Sequence, residues 1–192
     1  MSALSVPTAA DVNATNRRAF EKLSFGLGFV PNLYATFAHS ETALPDYLKL
    51  QARSSSLSKR EREVINVVVT AVNDCAYCRE VHDSVGRLNG FSAAALADLR
   101  VGTPLDDNKL DALANFARLT VASRGHPTPA TVNGLLAAGY TEAQIIDAVL
   151  QIGDKTIANY LHGVSGVDID FPPKPQRMDD LLVVEPAYAL PG

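Results

Sequence analysis

The amino-acid sequence predicts an all-α protein, and three observations support this class. Apolar residues recur with helical spacing along most of the chain. Hydroxyl and acidic residues precede several of these stretches in the positions of helix caps, and glycine or proline follows them. The 192 residues are also enough to build one domain with a sizeable core, without support from structural disulfides.

The predicted helices follow one another in order along the chain. Thr8 or Asp11 is expected to cap the first helix, which runs toward Leu23. From residue 165 onward, prolines predict an extended segment. The expected organisation is therefore a helical domain over 1–164 and a Pro-rich C-terminal tail over 165–192. Later helices are expected over 31–37, 41–52, 59–72, 75–88, 92–99, 106–124, 129–138 and 141–161.

The helix over 59–72 has a competing interpretation. Ser58 and Glu61 form a capping box, in which a serine is followed three residues later by a glutamate. The valine run over 67–69 is β-prone and is also compatible with a buried strand. The capping box and the length of the segment favour a helix.

Composition excludes several classes of function. The net charge is −4 and no dense block of lysine or arginine occurs, so nucleic acid is not an expected partner. No apolar run approaches the ~18 residues that a membrane span needs, and no membrane partner is expected. The N-terminus lacks the features of a signal peptide, which predicts a cytoplasmic protein. The two cysteines lie only three residues apart, unlike a structural disulfide framework.

The two cysteines and a histidine form the strongest chemical signal. On a helix that begins at Cys75, Cys78 is three residues further on and His82 four residues beyond that, so all three share one face. Cysteines in the first turn lie at the positive end of the helix dipole, where a thiolate is favoured. The spacing predicts a redox-active dithiol beside an imidazole.

Glu63 is predicted to join this site from the preceding helix. It lies about ten residues before the turn at Asn73 and Asp74, and His82 lies about eight residues after it. Two helices folded back at this turn would bring the carboxylate and the imidazole to similar depth, at a rise of ~1.5 Å per residue. The predicted proton relay passes from Glu63 through His82 to Cys78.

These residues form a spaced motif: Glu63, then eleven residues, then Cys75-x-x-Cys78, then three residues and His82. This motif resembles the AhpD-like alkylhydroperoxidase core of the carboxymuconolactone decarboxylase superfamily. The resemblance is close over 57–99. It is looser, and closest to the peroxidase-related branch, at 29–32, 159–162 and 168–172. It implies an AhpD-like helical bundle with the CxxC at the N-terminus of a central helix, assembled as a homo-oligomer, commonly a trimer or hexamer.

The resemblance also implies an activity. Cys78 would be the peroxidatic cysteine of a hydroperoxide reductase, Cys75 the resolving cysteine, and Glu63 with His82 the relay. No cofactor or metal is expected. The oxidised pair would be reduced by a dithiol donor, either a lipoyl-bearing or a thioredoxin-like protein.

Two further residues are predicted to contact substrate. Some members of the family have a histidine between the cysteines, where this chain has Tyr77, whose hydroxyl can hydrogen-bond to substrate or relay residues. His162 ends the last long helix in a setting that resembles a segment of the family, and is expected to approach the active site.

Four alternatives remain open from the sequence. The cysteines could be inert core residues, or Cys75, Cys78, His82 and Glu63 could bind zinc. The protein could instead be a decarboxylase-like lyase, which has no obvious need for a dithiol. It could also be a non-enzymatic redox sensor that uses the same thiol switch.

Overall fold

The predicted all-α class is confirmed by the structure, a computed structural model that describes residues 2–171. This part of the chain forms nine helices and no strand. Helices α2 to α8 begin and end within two residues of their predicted bounds. The helices are α1 (Ala14–Leu27), α2 (Asn32–Phe37), α3 (Ala43–Gln51), α4 (Lys59–Val72), α5 (Ala76–Leu88), α6 (Ala93–Val101), α7 (Asn108–Ala122), α8 (Pro129–Ala137) and α9 (Glu142–Ser165).

The chain divides into two compact units, and Ser55–Tyr160 forms one of them. Within this unit α4 is central, because it packs against α5, α6 and α7. The valines over 67–69, for which a strand was the alternative, lie in α4 and are buried. A valine run is accommodated in this helix because neighbouring helices cover several of its faces, and burial outweighs the modest helix propensity of valine.

The other unit contains the chain before residue 55 and after residue 160. Its first helix begins later than predicted, because Asn13 is the N-cap and its side chain accepts the Asn16 N–H. Thr8 and Asp11, the predicted caps, bond instead to each other in a separate turn, with Thr8 Oγ1 donating to Asp11 Oδ2 at 2.6 Å. Phe20 and Leu23 of α1 pack with Leu44 of α3 in a small core.

The turn between α4 and α5 places the first cysteine. Asp74 adopts a left-handed backbone, with φ of 49°, and its N–H donates to the Ala71 carbonyl. The next N–H, that of Cys75, donates to the Thr70 carbonyl at 3.2 Å. These two bonds form a Schellman motif that ends α4. Asn73 and Asp74, the residues of the expected turn, therefore end α4 and do not cap α5, whose N-cap is Cys75.

The last helix is longer than predicted. It continues through Gly163 to Ser165, and the Ser165 carbonyl accepts the N–H groups of Ala3 and Leu4. These contacts satisfy a carbonyl that a helix end leaves free. Residues 166–171 follow without regular structure, and most of the predicted tail, from 172 onward, lies outside the described residues. Within the described part, no helix combines the length and apolar character needed to cross a membrane.

Two glycine substitutions are expected to have opposite effects on stability, because only one of the two glycines is closely packed. A Cβ on Gly86 would lie 2.6 Å from Cδ2 of the buried Leu96, whereas one on Gly134 of α8 would meet nothing within 4 Å. We expect Gly86→Ala to lower the free energy of unfolding by about 1–3 kcal/mol. Gly134→Ala should raise it by about 0.5–1 kcal/mol. Urea denaturation of both variants measures the difference, and equal effects would contradict the packing.

Candidate active site

The two cysteines begin α5 and face each other across its first turn. Cys75 is the N-cap, and its Sγ accepts the Cys78 N–H at 3.2 Å. Serine or asparagine usually occupies this position. Both cysteines are free thiols, and only 2% of Cys75 and 3% of Cys78 is exposed. The cap therefore fixes the two sulfurs close together at the positive end of the helix.

The two thiols differ in acidity. A hydrogen bond from the Cys75 thiol lowers the pKa of Cys78 to about 6, against the opposing effect of burial, and the charge of Lys155 also favours the thiolate. The same hydrogen bond and burial raise the pKa of Cys75. At neutral pH Cys78 is thus the thiolate, the more nucleophilic form of a thiol, and Cys75 is its protonated partner.

The antiparallel pair α4 and α5 brings Glu63 and His82 together. His82 Nδ1 lies 2.7 Å from Glu63 Oε1, and both side chains are buried. Burial alone would raise the pKa of Glu63, but the contact with His82 and the hydrogen bond from Asn66 keep it below its usual value. The ionised carboxylate therefore accepts the Nδ1 proton of the ring, which leaves Nε2 for a second contact.

The final link of the predicted relay is not made. His82 Nε2 is buried and has no hydrogen-bond partner among the described residues, so it does not bond directly to the Cys78 sulfur. The spacing of four residues puts both side chains on one face of α5, but Glu63 sets the orientation of the ring through its other nitrogen. Nε2 remains available to a group that enters from outside.

A row of polar residues on α9 completes the site, and sequence reasoning did not include it. Gln151, Lys155 and Asn159 recur every four residues, so they share one face of the helix, and all three are buried. Gln151 Nε2 donates to Asn66 Oδ1 at 2.7 Å, and Asn159 Nδ2 donates to Thr70 Oγ1 at 3.4 Å. This spacing of buried polar residues was the available signal in the sequence.

The two residues predicted to bind substrate occupy different units. Tyr77 is in the first turn of α5 and is 2% exposed, next to the thiols in sequence. His162 is in the last turn of α9 and belongs to the other unit. Their roles in substrate binding stay predictions.

The zinc alternative gains no support from this arrangement. Within residues 2–171, no group of three or more histidine, cysteine, aspartate or glutamate side chains is placed to hold a metal ion. The alternative that the cysteines are inert fits poorly with the hydrogen bond that distinguishes their acidities.

The charge of Lys155 is expected to affect how the reactivity of Cys78 depends on pH. Alkylation of Cys78 by iodoacetamide should follow the thiolate fraction, with a midpoint near pH 6 in the wild type. Lys155→Met removes a cation that favours the thiolate, so its midpoint should move to higher pH, and the rate at pH 6 should fall roughly fivefold. Above pH 9 the two rates should converge. The exposed Lys59 provides the control, since Lys59→Met makes the same charge change and should not move the midpoint.

Comparison with known proteins shows which family and which solved structures this chain is similar to. Residues 41–107 match the model of the carboxymuconolactone decarboxylase family. A peroxidase-related protein from Silicibacter sp. TM1040 superposes with a TM-score of 0.75 and 25% identity, over 87% of this chain and 91% of that one. A peroxidase-related protein with an alkylhydroperoxidase AhpD core, from Ralstonia eutropha JMP134, gives a TM-score of 0.77 and 22% identity, over 88% and 93%.

A third structure has the same fold. A cysteine-to-alanine variant of the debrominase Bmp8, in complex with 2,3,4-tribromopyrrole, superposes with a TM-score of 0.73 and 15% identity, over 91% of this chain and 96% of that one. No curated protein matches the chain.

The fold and the site together define a class: an all-α protein with a CxxC dithiol at a helix N-terminus and a buried glutamate–histidine pair beside it. Over residues 41–107 the chain is similar to the carboxymuconolactone decarboxylase family, and its fold is that of the proteins with an AhpD core.

Proposed function

We propose that the protein is a thiol-dependent hydroperoxide reductase. The observation that carries this proposal is the unequal acidity of the two thiols, since Cys75 donates a hydrogen bond that keeps Cys78 a thiolate near pH 6 and above. An inert pair would need no such asymmetry. A thiolate within reach of a second thiol is suited to reduce a peroxide and then to form a disulfide.

In the first half of the reaction the Cys78 thiolate attacks the terminal oxygen of the hydroperoxide. The O–O bond breaks, Cys78 becomes a sulfenic acid, and the alkoxide leaves. His82, protonated at Nε2 by solvent because it does not bond to the Cys78 sulfur, donates that proton to the alkoxide, so the product is an alcohol. Glu63 stabilises the transient imidazolium through Nδ1.

In the second half Cys75 resolves the sulfenic acid. Its pKa is raised as long as it donates to the Cys78 thiolate, so it stays protonated until Cys78 has been oxidised. Its sulfur then attacks the Cys78 sulfur, a disulfide forms, and the sulfenic hydroxyl leaves as water with the Cys75 proton. The order of the two steps follows from this hydrogen bond.

A dithiol donor then restores the enzyme by thiol–disulfide exchange, and is itself oxidised to a disulfide. We propose a lipoyl-bearing or a thioredoxin-like protein in this role. A homo-oligomer, such as a trimer or hexamer, is also proposed. An exposed apolar stripe on α9 supports it, formed by Ile146, Val149, Leu150, Ile157 and Tyr160.

The comparisons support this proposal at the level of the superfamily. The Silicibacter and Ralstonia proteins are described as peroxidase-related, and Bmp8 is a debrominase, so one fold carries more than one activity. The lyase and the redox sensor therefore remain the alternatives that the experiment has to separate.

The test is consumption of an alkyl hydroperoxide with dihydrolipoamide as donor. The proposal expects repeated turnover by the wild type, with one disulfide of the donor formed for each peroxide consumed. A Cys75→Ala/Cys78→Ala double variant should consume no peroxide above background. Disulfide formation without turnover would support the sensor. Decarboxylation of a lactone acid that survives in the double variant would support the lyase, and either result would overturn the proposal.

A further inference from the structure

A small cleft opens beside the catalytic histidine and is not used by the mechanism above. The cleft is narrow and opens to solvent, and it lies between α4, α5 and α6. Its charged or titratable lining groups are the imidazole and two guanidinium groups, and no carboxylate lines it. The lining residues are Val67, Thr70, Ala71, Arg79, His82 and Arg100.

The imidazole gives the first sign that this cleft receives a ligand. His82 is 3% exposed, its Nδ1 is taken by Glu63, and its Nε2 has no partner among the described residues. A buried polar atom without a hydrogen bond is unfavourable, because it has lost its contacts with water without a replacement. Because the ring lines the cleft, a ligand there can supply the missing hydrogen bond.

The two arginines are the second indication that the cleft receives a ligand, because they lie close to each other. Burial lowers the pKa of Arg100, and the positive charge of the nearby Arg79 lowers it further. Arg79 pairs with the highly exposed Asp74 at 3.0 Å, and Arg100 pairs with Asp83. The negative charge of the exposed Glu80 has the opposite effect and raises the pKa of Arg100. A guanidinium has five N–H donors, so one carboxylate partner leaves donors for a second anion.

We infer that this cleft binds the carboxylate of a small, acid-bearing hydroperoxide, with the carboxylate on Arg100 and Arg79 and the peroxide group at His82 Nε2. The inference rests on the proposed function and adds the chemical class of its substrate. Two adjacent guanidinium groups favour a carboxylate over a neutral group of the same shape. The inference places the peroxide oxygen at His82, one helical turn from Cys78 on the same face of α5.

The test compares two alkylating reagents that differ only at this group. Iodoacetate carries a carboxylate where iodoacetamide carries an amide, and in both the Cys78 sulfur displaces iodide. We measure the ratio of their rate constants at pH 7, identify the alkylated cysteine by peptide mass spectrometry, and use N-acetylcysteine as the reference thiol. Because both reagents attack the same thiolate, the ratio cancels changes in its intrinsic reactivity.

The wild type should favour iodoacetate at least about fivefold more than N-acetylcysteine does. Arg100→Gln and Arg79→Gln should each lower the ratio at least threefold, and Arg100→Lys should retain most of it. The exposed Arg87, also on α5, is the matched control, and Arg87→Gln should keep the wild-type ratio. A wild-type ratio equal to that of N-acetylcysteine, or an equal loss in Arg87→Gln, would overturn the inference.

The same variants separate this inference from the proposed function. Alkylation requires no peroxide, so a clear preference for iodoacetate without peroxide turnover would leave the cleft intact and overturn only the reductase. Turnover with equal kcat/KM for a carboxylate-bearing hydroperoxide and its methyl ester would overturn only the anion site.

Discussion

Cys78→Ser should abolish turnover, with peroxide consumption falling roughly 10³-fold or more. A serine hydroxyl is too weakly acidic to ionise near neutral pH, whereas the thiol has a pKa of about 6. Because Cys78 is in the first turn of α5 and is 3% exposed, serine fits without enlarging the side chain. The measurement is steady-state consumption of an alkyl hydroperoxide with excess dithiol donor.

Cys75→Ser should fail at a different step. The serine hydroxyl can still cap the Cys78 N–H and donate to the thiolate, so the first reduction should proceed. Without a second thiol, however, the sulfenic acid of Cys78 should persist, which mass spectrometry detects as one added oxygen atom. Steady-state turnover should then depend on direct attack by the donor and fall steeply.

The pair of variants distinguishes the roles of the two cysteines. A burst of one peroxide per subunit in Cys75→Ser, and none in Cys78→Ser, is the expected pattern. The reverse pattern would show that Cys75 is the nucleophile and that the assigned acidities are wrong. Equal, wild-type turnover in both variants would show that peroxide reduction does not use the dithiol.

The sequence predicted those elements whose signals are local. The capping box at Ser58 and Glu61 predicted the start of α4 correctly, because the box satisfies backbone groups within one turn. The antiparallel register that places Glu63 against His82 also followed from spacing alone, since two helices joined by a short turn have little freedom to slide.

Features that depend on distant contacts were missed. The left-handed backbone of Asp74 makes Cys75 the N-cap, and sequence alone does not distinguish this from capping by Asp74 itself. The extension of α9 to Ser165 depends on N–H donors from Ala3 and Leu4, more than 150 positions away in the chain. Lys155 affects the thiolate only because α9 packs beside α4 within its unit, through Gln151 and Asn66.

Glu63→Gln should lower kcat/KM for peroxide by about 10²–10⁴-fold, through a change of tautomer rather than loss of a contact. Glu63 Oε2 accepts a hydrogen bond from Asn66 Nδ2 at 3.0 Å, while Oε1 accepts from His82 Nδ1. Gln151 donates to Asn66 Oδ1 and so holds the Asn66 amide in this orientation. In the variant the Gln oxygen must face Asn66, which turns its NH₂ toward His82.

An amide NH₂ that donates to Nδ1 forces the proton of the ring onto Nε2. With Nδ1 accepting from the amide, the ring cannot carry protons on both nitrogens and so cannot act as the acid for the alkoxide, and the charge that stabilises the imidazolium has also been removed. The ¹⁵N chemical shifts of His82 should report this exchange of tautomers directly. The exposed Glu142 provides the control, since Glu142→Gln makes the same substitution on α9 and should leave activity within twofold.

The network also predicts a rescue. In the double variant Glu63→Gln/Asn66→Asp, the new carboxylate accepts from the Gln NH₂, so the Gln oxygen turns back to His82 and restores the proton to Nδ1. The double variant also carries the same net charge as the wild type. It should therefore recover at least tenfold in kcat/KM over Glu63→Gln. If the ¹⁵N shifts show the restored tautomer but activity does not recover, the carboxylate at position 63 acts through its charge on His82, not through the tautomer it selects.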